Sequence, residues 1–127
     1  MPAKHLFEYA VIRVVPRVER EEFMNVGVIV YCRDLKFLQI KYELKAERLR
    51  AFSAGIDLEE LEHRLQAFFK ICCGKPDGGP IGELPLASRF RWLAAARSTI
   101  VQVSPTHPGL THDPQQALEK LYHQMVL

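Results

Sequence analysis

The hydrophobic period of this chain changes near Leu44, from about 2 to about 3.6 residues. Before that point apolar residues alternate or run in short blocks rich in β-branched and aromatic side chains. After it they recur at threes and fours. Strands that come first and helices that follow exclude an alternating βαβ order and point to an α+β fold.

The strand half divides at Pro16, which cannot donate to a ladder, and at the turn Arg33-Asp34-Leu35-Lys36. Leu6–Val15 is apolar on both side-chain sets except for Glu8 and Arg13. Phe23–Cys32 places Val26, Val28, Val30 and Cys32 on one face and Asn25, Gly27, Ile29 and Tyr31 on the other. Phe37–Glu43 alternates cleanly, as a half-solvated strand does. Short connections make these three an antiparallel meander.

In the helical half, Lys45–Ala54 is a short helix with Gly55 as its C′ residue. Asp57 is an N-cap for a longer amphipathic helix that ends at Gly74. Gly74–Pro85, with four glycines and three prolines, reads as a loop, and Leu86–Arg97 as a helix. Thr99–Ser104 is a late strand expected to join the meander, and Thr106–His112 a second loop. Asp113-Pro114 then opens the last helix, with Gln116 placed for a capping box. The expectation is one domain over residues 1–127: an antiparallel sheet of three meander strands and a late fourth strand, with about four helices covering one face.

Composition narrows the function classes. The chain has 127 residues, 48% hydrophobic and 25% charged, and 17 basic against 15 acidic residues leave a net charge of +2. That balance does not suit a non-specific nucleic-acid binder. No apolar run approaches the roughly 18 residues of a membrane span, and Met1–His5 lacks an apolar signal core, so neither membrane nor secretion is expected. Three cysteines, two of them vicinal, with no CxxC pair, fit reduced thiols in the cytoplasm.

Arg13 is the most informative residue, since a charge inside an apolar strand needs a partner. Its planar fork suits a carboxylate or phosphate; an ion pair with the Glu19–Glu22 segment would make it structural instead. Asn25 and Gly27 stand where bulky apolar residues are expected. Glycine there allows a bulge or a close backbone approach, and Asn25 is either the wall of a groove or satisfied by backbone. Gln102 joins a polar network with Arg13 or Asn25 if the strands are neighbours, and is otherwise an exposed edge residue.

Other constellations are weaker. Glu19, Glu21 and Glu22 carry the oxygen chemistry of a magnesium or acid/base site, but flanking Arg17 and Arg20 make a solvated turn the commoner meaning. His107, His112 and Asp113 lack a helical ligand spacing. Arg89, Arg91 and Arg97 around Trp92 suit a nucleic-acid strand or simply a solvated helix face. Gly74–Gly79 lacks the spacing of a phosphate loop, and Cys72 and Cys73 end a helix, where the dipole disfavours a thiolate. No cofactor or metal site is expected.

Two segments carry a resemblance. Tyr9–Arg33 resembles the N-terminal signature of the bacterial domain-of-unknown-function family 3037, which reads approximately Y-x-x-[IV]-R-[YFV]-[VS]-P and then E-F-x-N-[VI]-G-[VI]-[VIL]. Arg13, Pro16, Glu22, Phe23, Asn25, Val26, Gly27 and Val28 match it. Ser98–Tyr122 is similar to a second signature, a polar strand and a T-x-D-P helix opening, through Gln102, Thr111, Asp113, Pro114, Leu118 and Leu121. Val14–Val15 departs from it where an aromatic residue often precedes the proline. The resemblance spans about residues 7–126 and brings no established activity. It implies a protein partner, because genes of the family often lie near those of HipA-like kinases.

The expected function is therefore a cytoplasmic, non-catalytic binding or partner module. Its site is built from Arg13, Glu22, Asn25, Gly27 and Gln102, and it recognises an anionic or amide-bearing group. The alternative is an enzyme of nucleotide or nucleic-acid metabolism, with Arg13 as phosphate clamp and Glu22 as acid/base or magnesium ligand. Homo-oligomerisation is left open.

Overall fold

The computed structural model describes residues 3–74, 78–95, 97 and 99–127. The strands are β1 (His5–Val14), β2 (Met24–Cys32), β3 (Phe37–Tyr42), β4 (Val101–Val103) and β5 (His107–Thr111). The helices are α1 (Ala46–Phe52), α2 (Leu58–Cys73), α3 (Gly79–Gly82), α4 (Leu86–Leu93) and α5 (Pro114–Met125). All strand pairs are antiparallel, in the order β3-β2-β1-β4, and β5 also pairs with β1. The α+β class, the meander and the late strand beside it are all present.

The fifth strand lies where a loop was expected. Pro108 and Gly109 argue against a central strand, but β5 is an edge strand, where a missing donor does no harm. Gly109 faces Phe7 in the register, and a Cβ there would fall 2.5 Å from the Phe7 ring. β4 and β5 share one edge of β1, with β4 on Ile12–Val14 and β5 on His5–Tyr9. Between them Ser104 keeps the ladder closed: its hydroxyl accepts from the Val11 N–H (2.9 Å) and its own N–H donates to the Val11 carbonyl (2.8 Å).

The helices cover both faces of the sheet rather than one. Ile12, Val14, Val26, Ile29, Tyr31, Leu38 and Ile40 pack against Leu49 of α1, Leu61, Leu65 and Phe68 of α2, and Phe90 and Leu93 of α4. On the opposite face Phe7, Val28, Val30 and Cys32 pack against Leu118 and Tyr122 of α5 and against Val126. The polar side of β3 meets α5 as well, since Lys41 pairs with Glu119 and lies over the Tyr122 ring.

Val26 belongs to the first cluster and Val28 to the second, although strict alternation puts them together. A bulge explains the change. Ile12 pairs with Gly27 and Arg13 with Asn25, so Val26 is an extra residue in β2. The bulge turns Asn25 to the α5 face.

Asp57 caps α2 through the Glu60 N–H, and Asp113 caps α5 through the Gln115 N–H. α2 ends at Gly74 (φ 70°), but α1 ends at Ser53 in extended backbone and not at Gly55. α4 stops at Leu93, short of the expected Arg97. The expected loop after Gly74 contains α3, whose Ile81 packs on the core; residues 75–77 lie outside the described set.

Candidate functional site

Arg13 is the cross-strand partner of Asn25 on one side and of Gln102 on the other. Directly opposed residues of antiparallel strands share a face, so the three side chains form one row across β4, β1 and β2. Without the bulge, Asn25 would point away from Arg13. Beside the bulge Gly27 lets β3 come close, because a Cβ there would sit 2.7 Å from the Tyr42 Cβ and 2.8 Å from the Lys41 carbonyl oxygen.

The Asn25 amide Nδ2–H donates to the Met125 carbonyl at the end of α5 (3.0 Å). This bond fixes which end of the amide faces the helix and turns Oδ1 the other way. Asn25 Oδ1 is buried without a hydrogen-bond partner, and so is the Nε of Arg13. An unmatched donor and an unmatched acceptor thus stand on facing residues. Beside them Arg48 donates to the Val126 carbonyl (3.4 Å), so the α5 terminus is held from two sides.

The Arg13 guanidinium carries no ion pair with a carboxylate among the described residues. Instead its Cζ lies 4.0 Å from the ring centroid of Phe23, a residue that is itself 46% exposed. The structural alternative considered for Arg13, a bridge to Glu19–Glu22, is therefore not the arrangement found. Gln102 shares the row but donates its own amide to the Thr99 carbonyl (2.9 Å), so it flanks the pair as a satisfied neighbour. The sequence reading leaves Phe23 out of the site; the E-F-x-N spacing, which puts an aromatic two residues before Asn25, is the signal that points to it.

Glu22 has a partner of its own. It accepts from both Nε and Nη2 of Arg20 (2.8 and 2.6 Å) and lines a cleft of about 290 Å³ with Pro16, Arg17, Arg20, Phe52 and Ser53. Arg13 does not line that cleft. The carboxylate that the enzyme alternative requires is thus engaged by Arg20 of its own loop.

The three arginines around Trp92 each have internal partners, and of the three Arg91 is the solvent-exposed one. Arg89 donates to the Ile71, Cys72 and Leu84 carbonyls at 2.8–3.0 Å and so closes the C-terminus of α2. Arg91 grips both carboxylate oxygens of Glu8 (3.0 and 2.8 Å), and those bonds raise its pKa. Arg97 donates to Trp92, Leu93 and Ala95 carbonyls and stacks on Phe68 and Trp92; burial lowers its pKa.

The remaining candidates have local duties. His107 packs on Tyr9 (5.3 Å between centroids) and His112 Nδ1 lies 3.3 Å from the Ala3 carbonyl. No cluster of three or more potential metal ligands occurs among the described residues. Burial, followed by neighbouring Cys73, pushes the Cys72 thiol up to about 12, so it is a poor nucleophile. No helix among the described residues is long and apolar enough to cross a membrane.

No curated protein and no solved structure matches the chain. A family does, and the match runs from within β1 through the bulge of β2 to the end of α5, so it takes in Arg13, Phe23, Asn25, Gly27, Asp113 and Pro114. Over residues 9–126 the chain matches the family described as Protein of unknown function (DUF3037), and it belongs to that family.

Proposed function

We propose that this chain is a non-catalytic binding module that docks a protein partner through the corner formed by Arg13, Phe23 and Asn25. One observation carries the reading: Arg13 Nε–H and Asn25 Oδ1 are buried and unmatched on facing residues. Each such group costs about 1–3 kcal/mol of stability. Groups held at that cost without an internal match suit recognition of something outside the chain. The surroundings agree, because Phe23 and Met125 are exposed apolar residues beside an arginine, the mixture typical of interface hot spots. Cys32, Cys72 and Cys73 are free, which supports work in a reducing compartment such as the cytoplasm.

The partner suggested by the family resemblance is a HipA-like kinase. Co-expression with such a kinase from the source organism, capture on the tagged chain and quantification by mass spectrometry test the assignment. Stoichiometric capture that falls at least about tenfold with Arg13→Ala, roughly 1.4 kcal/mol, is expected for a hot-spot residue. Capture unchanged in Arg13→Ala refutes the assignment of the corner. The enzyme alternative loses support because Glu22 is paired with Arg20 at a cleft that Arg13 does not line.

A further inference from the structure

We infer that the corner receives a primary carboxamide, the side chain of an asparagine or glutamine, and that Phe23 is the cover this group displaces. The inference rests on the binding reading above and narrows it to one ligand chemistry. Arg13 Nε–H is a donor in need of an acceptor, and Asn25 Oδ1 is an acceptor in need of a donor. A carboxylate answers the first and repels the second. A lone ammonium does the reverse. A primary carboxamide has its C=O and one N–H on the same edge, and so offers both to two side chains standing next to each other. The trans main-chain amide carries these groups on opposite edges. Asn25 cannot turn over to suit an anion without breaking its bond to the Met125 carbonyl.

Both unmatched atoms are buried, so a ligand reaches them only if something moves. The Phe23 ring lies on the guanidinium, yet nearly half of the residue is exposed, so little burial holds it. Two residues earlier Glu21 has φ 57°, a left-handed conformation that disfavours any residue with a Cβ. The segment carrying the cover is therefore strained as well as lightly packed, whereas Arg13 and Asn25 are held in the sheet. With the ring displaced, the ligand's amide lies along the guanidinium's Nε–H edge, in its plane, where its C=O can accept.

The test is titration of the ¹⁵N-labelled full chain, following the Arg13 Nε–H and Asn25 Nδ2–H signals. The probes are acetamide for the side-chain amide, N-methylacetamide for the main-chain amide, acetate for a carboxylate and cytidine for a nucleobase edge. Ligands this small bind in the millimolar range at best, so concentrations reach tens of millimolar. Acetamide is expected to shift both signals and to bind at least severalfold more tightly than the other three. Phe23→Ala is expected to tighten acetamide by about two- to fivefold, the equivalent of one exposed ring–guanidinium contact. Acetate or N-methylacetamide binding as well as acetamide overturns the carboxamide assignment and leaves the binding corner standing. Cytidine binding more tightly overturns it in favour of nucleic acid. Weakened binding in Phe23→Ala overturns the role of the cover. If no probe moves either signal in the wild type or in Phe23→Ala, the carboxamide inference and the binding reading both fail.

Discussion

Replacing Gly27 with alanine is the most severe small perturbation the sheet offers. The new methyl would fall 2.7 Å from the Tyr42 Cβ and 2.8 Å from the Lys41 carbonyl oxygen. Neither atom can rotate away, because both belong to the framework of β3, and β2 is held on its other side by β1. The strands must part or the bulge must shift. Overpacking of this kind costs about 3 kcal/mol at the upper end of its usual range. Alanine returns about 1 kcal/mol by narrowing the unfolded ensemble, which leaves a net loss of about 2 kcal/mol. For 127 residues the unfolding entropy near the midpoint is about 0.27 kcal/mol/K, so Tm falls by about 7 °C. Differential scanning calorimetry measures the fall, and the Asn25 side-chain signals should move with it, since the bulge aims that residue. A Tm equal to or above wild type would refute the close-approach argument.

Two further predictions concern the supports around the site. Arg89→Ala removes two hydrogen bonds to carbonyls at the end of α2 and one to the Leu84 carbonyl, and should lower stability by about 2–3 kcal/mol in urea unfolding, while Arg89→Lys, lacking the fork, recovers only part of it; full recovery by lysine would show that charge alone suffices. Burial and then the Glu43 carboxylate push Tyr122 up to about 12, from an ordinary value of 10. A folded value above the unfolded one means that the stabilisation is complete below pH 10 and is lost as pH rises from 10 towards 12. The stability difference between wild type and Tyr122→Phe should therefore be flat up to pH 10 and shrink above it, and a difference that grows above pH 10 would contradict the assignment.

Period and punctuation made most of the fold legible. The alternation of Phe37–Tyr42, the Asp57 and Asp113 caps and the Gly74 stop all appear in the structure where the residue types place them. β5 was illegible because Pro108 and Gly109 are punctuation everywhere except on an edge strand, and only the Phe7 ring across the ladder shows why glycine is wanted. The stripe of α5 shows that the helix buries one side, but a stripe does not say which face of a sheet it meets. Gly27 pointed to a bulge or a close approach in this strand, but valine suits either face, so nothing in the sequence marks Val26 as the extra residue. At the site, Arg13, Asn25 and Gln102 were visible as polar residues in apolar strands, and antiparallel pairing brings them into one row. Glu22 was drawn in by its motif and its charge, although its nearest opposite charge is Arg20, two residues away. The duties of Arg89 and Arg97 as carbonyl caps depend on chain reversals that no local pattern encodes.

Arg13→Met provides the most direct trial of the idea that this guanidinium serves recognition and not the fold. Methionine keeps the length of the side chain and removes the buried, unmatched Nε–H, a relief of about 1–3 kcal/mol. It forfeits the contact with Phe23, about 0.5–1 kcal/mol at an exposed ring. Urea denaturation should therefore find the variant as stable as the wild type or up to about 2 kcal/mol more stable. A loss of about 2 kcal/mol or more would mean that Arg13 holds the sheet together, and the account of the corner as a binding site would be wrong.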